Sequence, residues 1–99
     1  MIIRGGENLY PREIEDVLYR HPAVREACVF GVPDPLYGEE VEAAVSLRPE
    51  TTATAEDLLR HCAESLASFK CPKRIRITDD LPKGPTGKIA KRTIAAAAR

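Results

Sequence analysis

Apolar positions along this chain change period several times, and each change marks an element. Residues 11–20, PREIEDVLYR, set Ile14, Val17 and Leu18 at i, i+3, i+4 spacing with Pro11 suited to the first helical position and Pro22 beyond the end, so a helix is predicted. Residues 24–32, VREACVFGV, are dense in β-branched and apolar side chains and stop at the turn-forming PDPLYG. Residues 40–48, EVEAAVSLR, then alternate Val41, Ala43, Val45 and Leu47 with polar neighbours over much of their length, which predicts two strands joined by a long turn. Helical spacing returns over 52–66, where Leu58, Leu59, Cys62 and Leu66 share a face, Thr54 is placed to cap, and Glu56 and Asp57 suit the first turn. Residues 73–78, KRIRIT, alternate Ile75 and Ile77 with Arg74 and Arg76 and read as a third strand with an exposed basic face. The closing KRTIAAAAR has strong helix propensity, although its apolar content is mostly alanine.

The first ten residues, MIIRGGENLY, offer a short strand and then Gly5 and Gly6, which permit positive φ and close approach to the backbone. The resulting order predicts an α+β fold: a small three-stranded sheet with flanking helices, preceded by a short strand and loop. Residues 1–99 show no repeat or linker and read as a single domain.

Composition narrows the class. A length of 99 residues with 43% hydrophobic and 30% charged content suffices for one core and an ordinary polar surface. No run approaches the roughly 18 apolar residues of a membrane helix, and MIIRGGE has no signal-peptide pattern, so a cytoplasmic chain without a transmembrane segment is expected. Cys28, Cys62 and Cys71 cannot all pair within the chain and lack C-x-x-C spacing, so they read as reduced thiols, Cys28 as a buried small hydrophobe. His61 is the one metal-ligand type beside Cys62, too little for a metal site, and His21 and His61 read as structural or solvent-facing.

The formal net charge of zero conceals an asymmetry. Residues 1–69 carry 6 basic and 13 acidic side chains, and residues 70–99 carry 9 basic and 2 acidic. A −7 body and a +7 tail segment suit an anionic partner such as a phosphate, another acidic surface, or a solvated face. Within the basic segment, LPKGPTGKI mounts Lys88 on a turn built from two glycines and two prolines. It is not a phosphate-cradling P-loop, because only Pro85 and Thr86 separate Gly84 from Gly87, and Ile89 rather than Ser or Thr follows Lys88. G-x-S-x-G, H-E-x-x-H and G-x-G-x-x-G are also missing. What remains is a cation on a pre-shaped turn, a glycine loop and a basic strand, without a convincing substrate pocket.

IIRGGENLYPREIE, HPAV, GVPDPLYGE, FKCPKRI and LPKGPTGKI, in this order, resemble the C-terminal domain of the acyl-CoA synthetases of the adenylate-forming superfamily, which includes luciferases and nonribosomal peptide adenylation domains. The resemblance runs nearly end to end. It implies a parent ligase that converts a fatty or aryl carboxylic acid, ATP and CoA into acyl-CoA, AMP and pyrophosphate with Mg²⁺, none of these being tightly held by this domain. It implies that Lys88 is the catalytic lysine of adenylation, an ammonium set between the carboxylate and the α-phosphate, worth roughly 3 to 4 kcal/mol by analogy with an oxyanion donor. It implies that Gly5, Gly6 and Glu7 border the pantetheine path of CoA, with Tyr37 where relatives often carry Trp, and that Phe69, Lys73 and Arg74 approach the CoA nucleotide. Cys71 stands where some relatives have a basic residue.

The same residues have plainer readings: Gly5 and Gly6 as turn residues, Tyr37 as turn packing, Lys73 as a solvated strand charge. Met1 falls just after the family's hinge, so an excised C-terminal domain is expected, one that folds alone but is inactive without its N-terminal domain. A carrier-protein acceptor in place of CoA, a nucleotide- or RNA-binding module and a regulatory interaction domain are the competing functions. Nucleic acid is disfavoured because residues 70–99 contain no aromatic side chain for base stacking.

Overall fold

In the computed structural model, which describes residues 1–98, β1 (Ile2–Arg4) and β2 (Glu7–Leu9) precede α1 (Pro11–Tyr19), β3 (Val24–Asp34) and β4 (Gly38–Leu47). There follow α2 (Ala55–Ser65), a 3₁₀ turn (Ser68–Lys70), β5 (Arg74–Thr78) and α3 (Lys91–Ala97). Arg99, the last residue of the expected closing helix, lies outside the described residues. The α+β class read from the sequence is the class observed.

The central strand is β4. It pairs antiparallel with β3 from Val24↔Leu47 to Asp34↔Gly38, and parallel with β5 from Glu42↔Arg74 to Ser46↔Thr78. The opening segment goes further than the strand and loop expected of it. Gly5 (φ +57°) and Gly6 (φ +85°) occupy the two central positions of a tight turn, and positive φ at both is what a hairpin of matching twist requires. The turn folds Glu7–Leu9 back on Ile2–Arg4, and the Arg4↔Gly38 pair joins the hairpin to β4, so the sheet has five strands.

Strand periodicity sorts the side chains between two layers. Ala27 and Val29 of β3, Val41, Ala43 and Val45 of β4 and Ile75 of β5 meet Ile14, Val17 and Leu18 of α1 and Leu58 and Cys62 of α2. On the opposite face Cys28, Phe30, Val32 and Ala44 meet Leu81 and Ile94. Fully burying a Leu or Phe side chain contributes about 1.5–3 kcal/mol, so both layers matter to stability.

Two details show how the chain closes its ends. Thr54 caps α2 reciprocally: the Asp57 amide donates to Thr54 Oγ1 (3.1 Å) and the Thr54 amide donates to Asp57 Oδ2 (2.9 Å), which is why α2 starts at Ala55. The outer edge of β3 is covered by α1, with the Ala27 amide donating to the Tyr19 hydroxyl (3.1 Å) and the Val29 amide to Glu15 Oε2 (2.8 Å). With two of its outward donors occupied, this part of the edge is blunted as a template for another strand.

Burial pushes the Cys28 and Cys62 thiols up to about 11, and Cys71 is half-buried and unpaired, in keeping with reduced thiols. His21 Nδ1 accepts from the Ala23 amide (3.1 Å), His61 Nε2 lies 2.7 Å from the Val17 carbonyl, and the two rings meet edge-on at 5.1 Å. Among the described residues, no helix is long and apolar enough to cross a membrane.

Candidate functional site

LPKGPTGKI folds as a small hairpin. Gly84 donates to the Lys88 carbonyl (2.7 Å), Gly87 donates to the Gly84 carbonyl (3.0 Å), and the Ala90 amide reaches Pro82 (2.8 Å). Pro85 sets φ for the first central position, and Gly87 takes φ +82°, the left-handed conformation that lets the chain turn back. Lys83 and Ile89 face each other across the hairpin. Ile89 packs against the layer of Phe30, Leu81 and Ile94, so alternation sends its neighbour Lys88 outward. Lys88 is exposed and makes no ion pair among the described residues.

The foot of this hairpin is ionic. Lys83 Nζ lies 2.6 Å from Glu26 Oε2, 3.2 Å from Asp80 Oδ1 and 3.0 Å from the Leu81 carbonyl. Glu26 also accepts from the Ser46 hydroxyl (2.9 Å), and Arg25 reaches Asp80 (3.3 Å) and the Asp79 carbonyl (2.9 Å). The Glu26 carboxylate, and after it Asp80, hold the Lys83 ammonium above its usual pKa.

A second group gathers at the far end of β4. Gly5 donates to the Tyr37 carbonyl (2.9 Å), and a Cβ on Gly5 would stand 3.3 Å from Tyr37 Cδ1, so bare backbone lies against the ring. The Arg4 guanidinium sits 3.9 Å over the Tyr37 ring centroid and donates to the buried Glu40 carboxylate at 2.8 Å. The Asp34 carboxylate accepts from the Tyr37 (2.9 Å) and Leu36 (3.0 Å) amides. The Tyr37 amide first, with the Leu36 amide and the Lys73 and Arg4 charges, holds Asp34 below the usual carboxylate range.

The predicted residues therefore divide. Gly5, Tyr37 and Lys73 are brought to one end of the sheet, with Gly6 and Glu7 on the same hairpin. Lys73 is tied there by its amide to the Val41 carbonyl (2.8 Å), and Arg74 follows in register with Glu42, both cations exposed. Phe69 is half-exposed on the 3₁₀ turn, with Lys70 reaching past its ring to Glu13 Oε1 (2.8 Å). Lys88 belongs to another place: its hairpin foot meets the sheet at the Glu26↔Ser46 pair, eight residues or about 26 Å along β4 from Gly38. Arg4, Glu40, Glu26 and Lys83 were not singled out from the sequence. The Asp of PDPLYG carries the one local signal, an Asp whose side chain caps a turn.

The structure thus presents two separate surfaces on one small sheet, an outward lysine and a glycine–tyrosine end. The sequence profile of the AMP-binding enzyme C-terminal domain covers residues 13–88. This chain belongs to that family. It is 50% identical to the oxalate–CoA ligase of Arabidopsis thaliana over 96% of its own length and 18% of that protein. It is 46% identical to the sulfoacetate–CoA ligase of Cupriavidus necator, over 92% of this chain and 18% of the relative. The crystal structure of ATP-bound MatB from Rhodopseudomonas palustris superposes with a TM-score of 0.90 at 37% identity, covering 96% of this chain and 19% of that one. The chain thus spans less than a fifth of the length of the relatives it matches, and the AMP-binding C-terminal domain is the part they share with it.

Proposed function

We propose that this chain is the C-terminal domain of an AMP-forming carboxylate–CoA ligase, presenting one surface to adenylation and another to thioester formation. An N-terminal domain supplies the pockets for ATP and the carboxylic acid. The relatives named for oxalate and for sulfoacetate resemble this domain at 50% and 46% identity although their acids differ, so choice of acid belongs to that larger part.

In the first step a carboxylate oxygen attacks the α-phosphorus, the bond to pyrophosphate breaks, and an acyl-adenylate forms. Both reactants are anions, and negative charge builds on the phosphate oxygens. An ammonium at that place offsets the repulsion and stabilises the transition state. The observation that carries the reading is Lys88 itself, outward on a hydrogen-bonded hairpin with no ion pair among the described residues, while nearby Lys83 is ion-paired to Glu26 and Asp80. In the second step the CoA thiol attacks the acyl carbon and AMP leaves. Gly5 and Gly6 give a backbone surface for the thin pantetheine arm beside Tyr37, and exposed Lys73 and Arg74 suit the CoA phosphates. Among the described residues no group of three or more His, Cys, Asp or Glu is placed to hold a metal, and no residue of this domain is assigned to Mg²⁺ here.

The test uses the full-length ligase with Lys88→Ala. Pyrophosphate release from ATP and acid is expected to fall by 10² or more, while thioester formation from supplied acyl-adenylate and CoA stays near wild type. Equal survival of both steps sinks the assignment.

A further inference from the structure

We propose that Lys83 and Glu26 are positioning residues for Lys88: a salt-bridged foot that fixes the angle of the lysine hairpin against the sheet. The inference rests on the reading of Lys88 above.

The hairpin is short and its own hydrogen bonds are few. Gly84 and Gly87 carry two of them, and both glycines add backbone freedom. Its strands meet through one bridge, Lys83↔Ile89. Two anchors on that inward side tie it to the rest of the molecule. Ile89 packs against the apolar layer that holds Phe30, Leu81 and Ile94, a contact that is greasy and poorly directional. Lys83 supplies direction. Its ammonium donates to the Leu81 carbonyl and contacts carboxylates from two elements, Glu26 on β3 and Asp80 beyond β5, at 2.6 and 3.2 Å.

Glu26 is in turn held by the Ser46 hydroxyl of β4 and flanked by Arg25 at 3.6 Å. The network thus joins β3 and β4, and through Asp80 the segment after β5, before it reaches the hairpin. It is partly shielded, with the Lys83 and Glu26 side chains 32% and 19% exposed, unlike the more exposed pair of Arg12 and Asp16 on α1. A lysine that must reach a phosphate in another domain needs its backbone aimed before that encounter. A displacement of about 1 Å in a reacting group can cost as much as 100-fold in rate. The foot limits that displacement without touching the reacting atoms.

The test compares Lys83→Met, Glu26→Gln and Lys83→Arg in the full-length ligase, with Lys88→Ala as a control. Amide exchange over residues 82–90 reads hairpin order, and thermal unfolding reads overall stability. Pyrophosphate release and thioester formation from supplied acyl-adenylate read the two steps separately. In Lys83→Met the Gly84, Gly87 and Ala90 amides are expected to exchange about tenfold faster. The kcat for pyrophosphate release falls by about 10- to 100-fold with little change in KM for ATP, thioester formation holds, and Lys83→Arg restores most of the rate.

Unchanged exchange over 82–90 overturns the proposal. So does a rate loss that affects both steps equally and follows the loss of thermal stability, because that is a structural effect with no aim. A Lys88→Ala enzyme that still releases pyrophosphate overturns the reading beneath it. The two failures are distinguishable, because exchange over the hairpin does not depend on what the Lys88 ammonium does.

Discussion

Lys83 and Lys88 are chemically identical and five residues apart, and the hairpin sends them to opposite surroundings. Lys83 is held above its ordinary pKa of 10.5 by Glu26 and then Asp80. A folded-state pKa that is raised means the contribution is fully present below the ordinary lysine value and is lost as pH rises through the folded one, so hairpin order should decline at strongly alkaline pH. Asp34 has the opposite sign. Its carboxylate is lowered by the Tyr37 amide above all, so its contribution is present above the unfolded value near 3.9 and disappears as pH falls through the lower folded value. A pH titration of the Leu36 and Tyr37 amide resonances should show that transition, and Asp34→Asn should abolish it. Lys88 was recognisable from its turn-forming neighbours. Lys83 was not, because its role depends on Glu26, 57 residues earlier, and on a pairing that no local pattern encodes.

Among the elements, the first hairpin carries the largest difference between expectation and structure. A pair of glycines announces a turn, but whether the next three residues continue as strand is decided by pairing, and Glu7–Leu9 is too short to alternate legibly. Gly5→Ala and Gly6→Ala should each destabilise by about 1 kcal/mol through the left-handed backbone. Only Gly5→Ala also presses on Tyr37, at 3.3 Å from its ring, so only that variant should shift the Tyr37 ring resonances. Thr54→Ala removes the reciprocal cap of α2 and should cost about 1 kcal/mol in denaturant unfolding. That cap was legible because it is local: Thr54 and Asp57 sit three residues apart at the start of an apolar repeat.

For the whole molecule, the charge asymmetry along the chain becomes an arrangement in space. Lys70, Lys83 and Lys91 of the basic segment are matched to Glu13, Glu26 with Asp80, and Glu15. Lys73, Arg74, Arg76, Lys88 and Arg92 make no ion pair among the described residues and keep their charge available. CoA binding by the full-length ligase should therefore weaken as salt rises, and Lys73→Gln should flatten that dependence in a titration at several ionic strengths. The two apolar layers also predict thiol behaviour. Cys71 should react with a thiol reagent in the folded chain, and Cys28 and Cys62 only as fast as it unfolds, a difference read from labelling with and without denaturant.

Hydrophobic period, caps and punctuating prolines and glycines were enough, by themselves, to place the three helices and the three principal strands and to mark Lys88, since each of these rests on interactions among residues a few positions apart. Tertiary structure alone decided that β5 runs parallel to β4, that the glycine turn docks on Tyr37 under Arg4, and that the lysine hairpin stands on Glu26. Those arrangements arise from partners 32 to 57 positions distant, matched in burial and charge only after the sheet has formed.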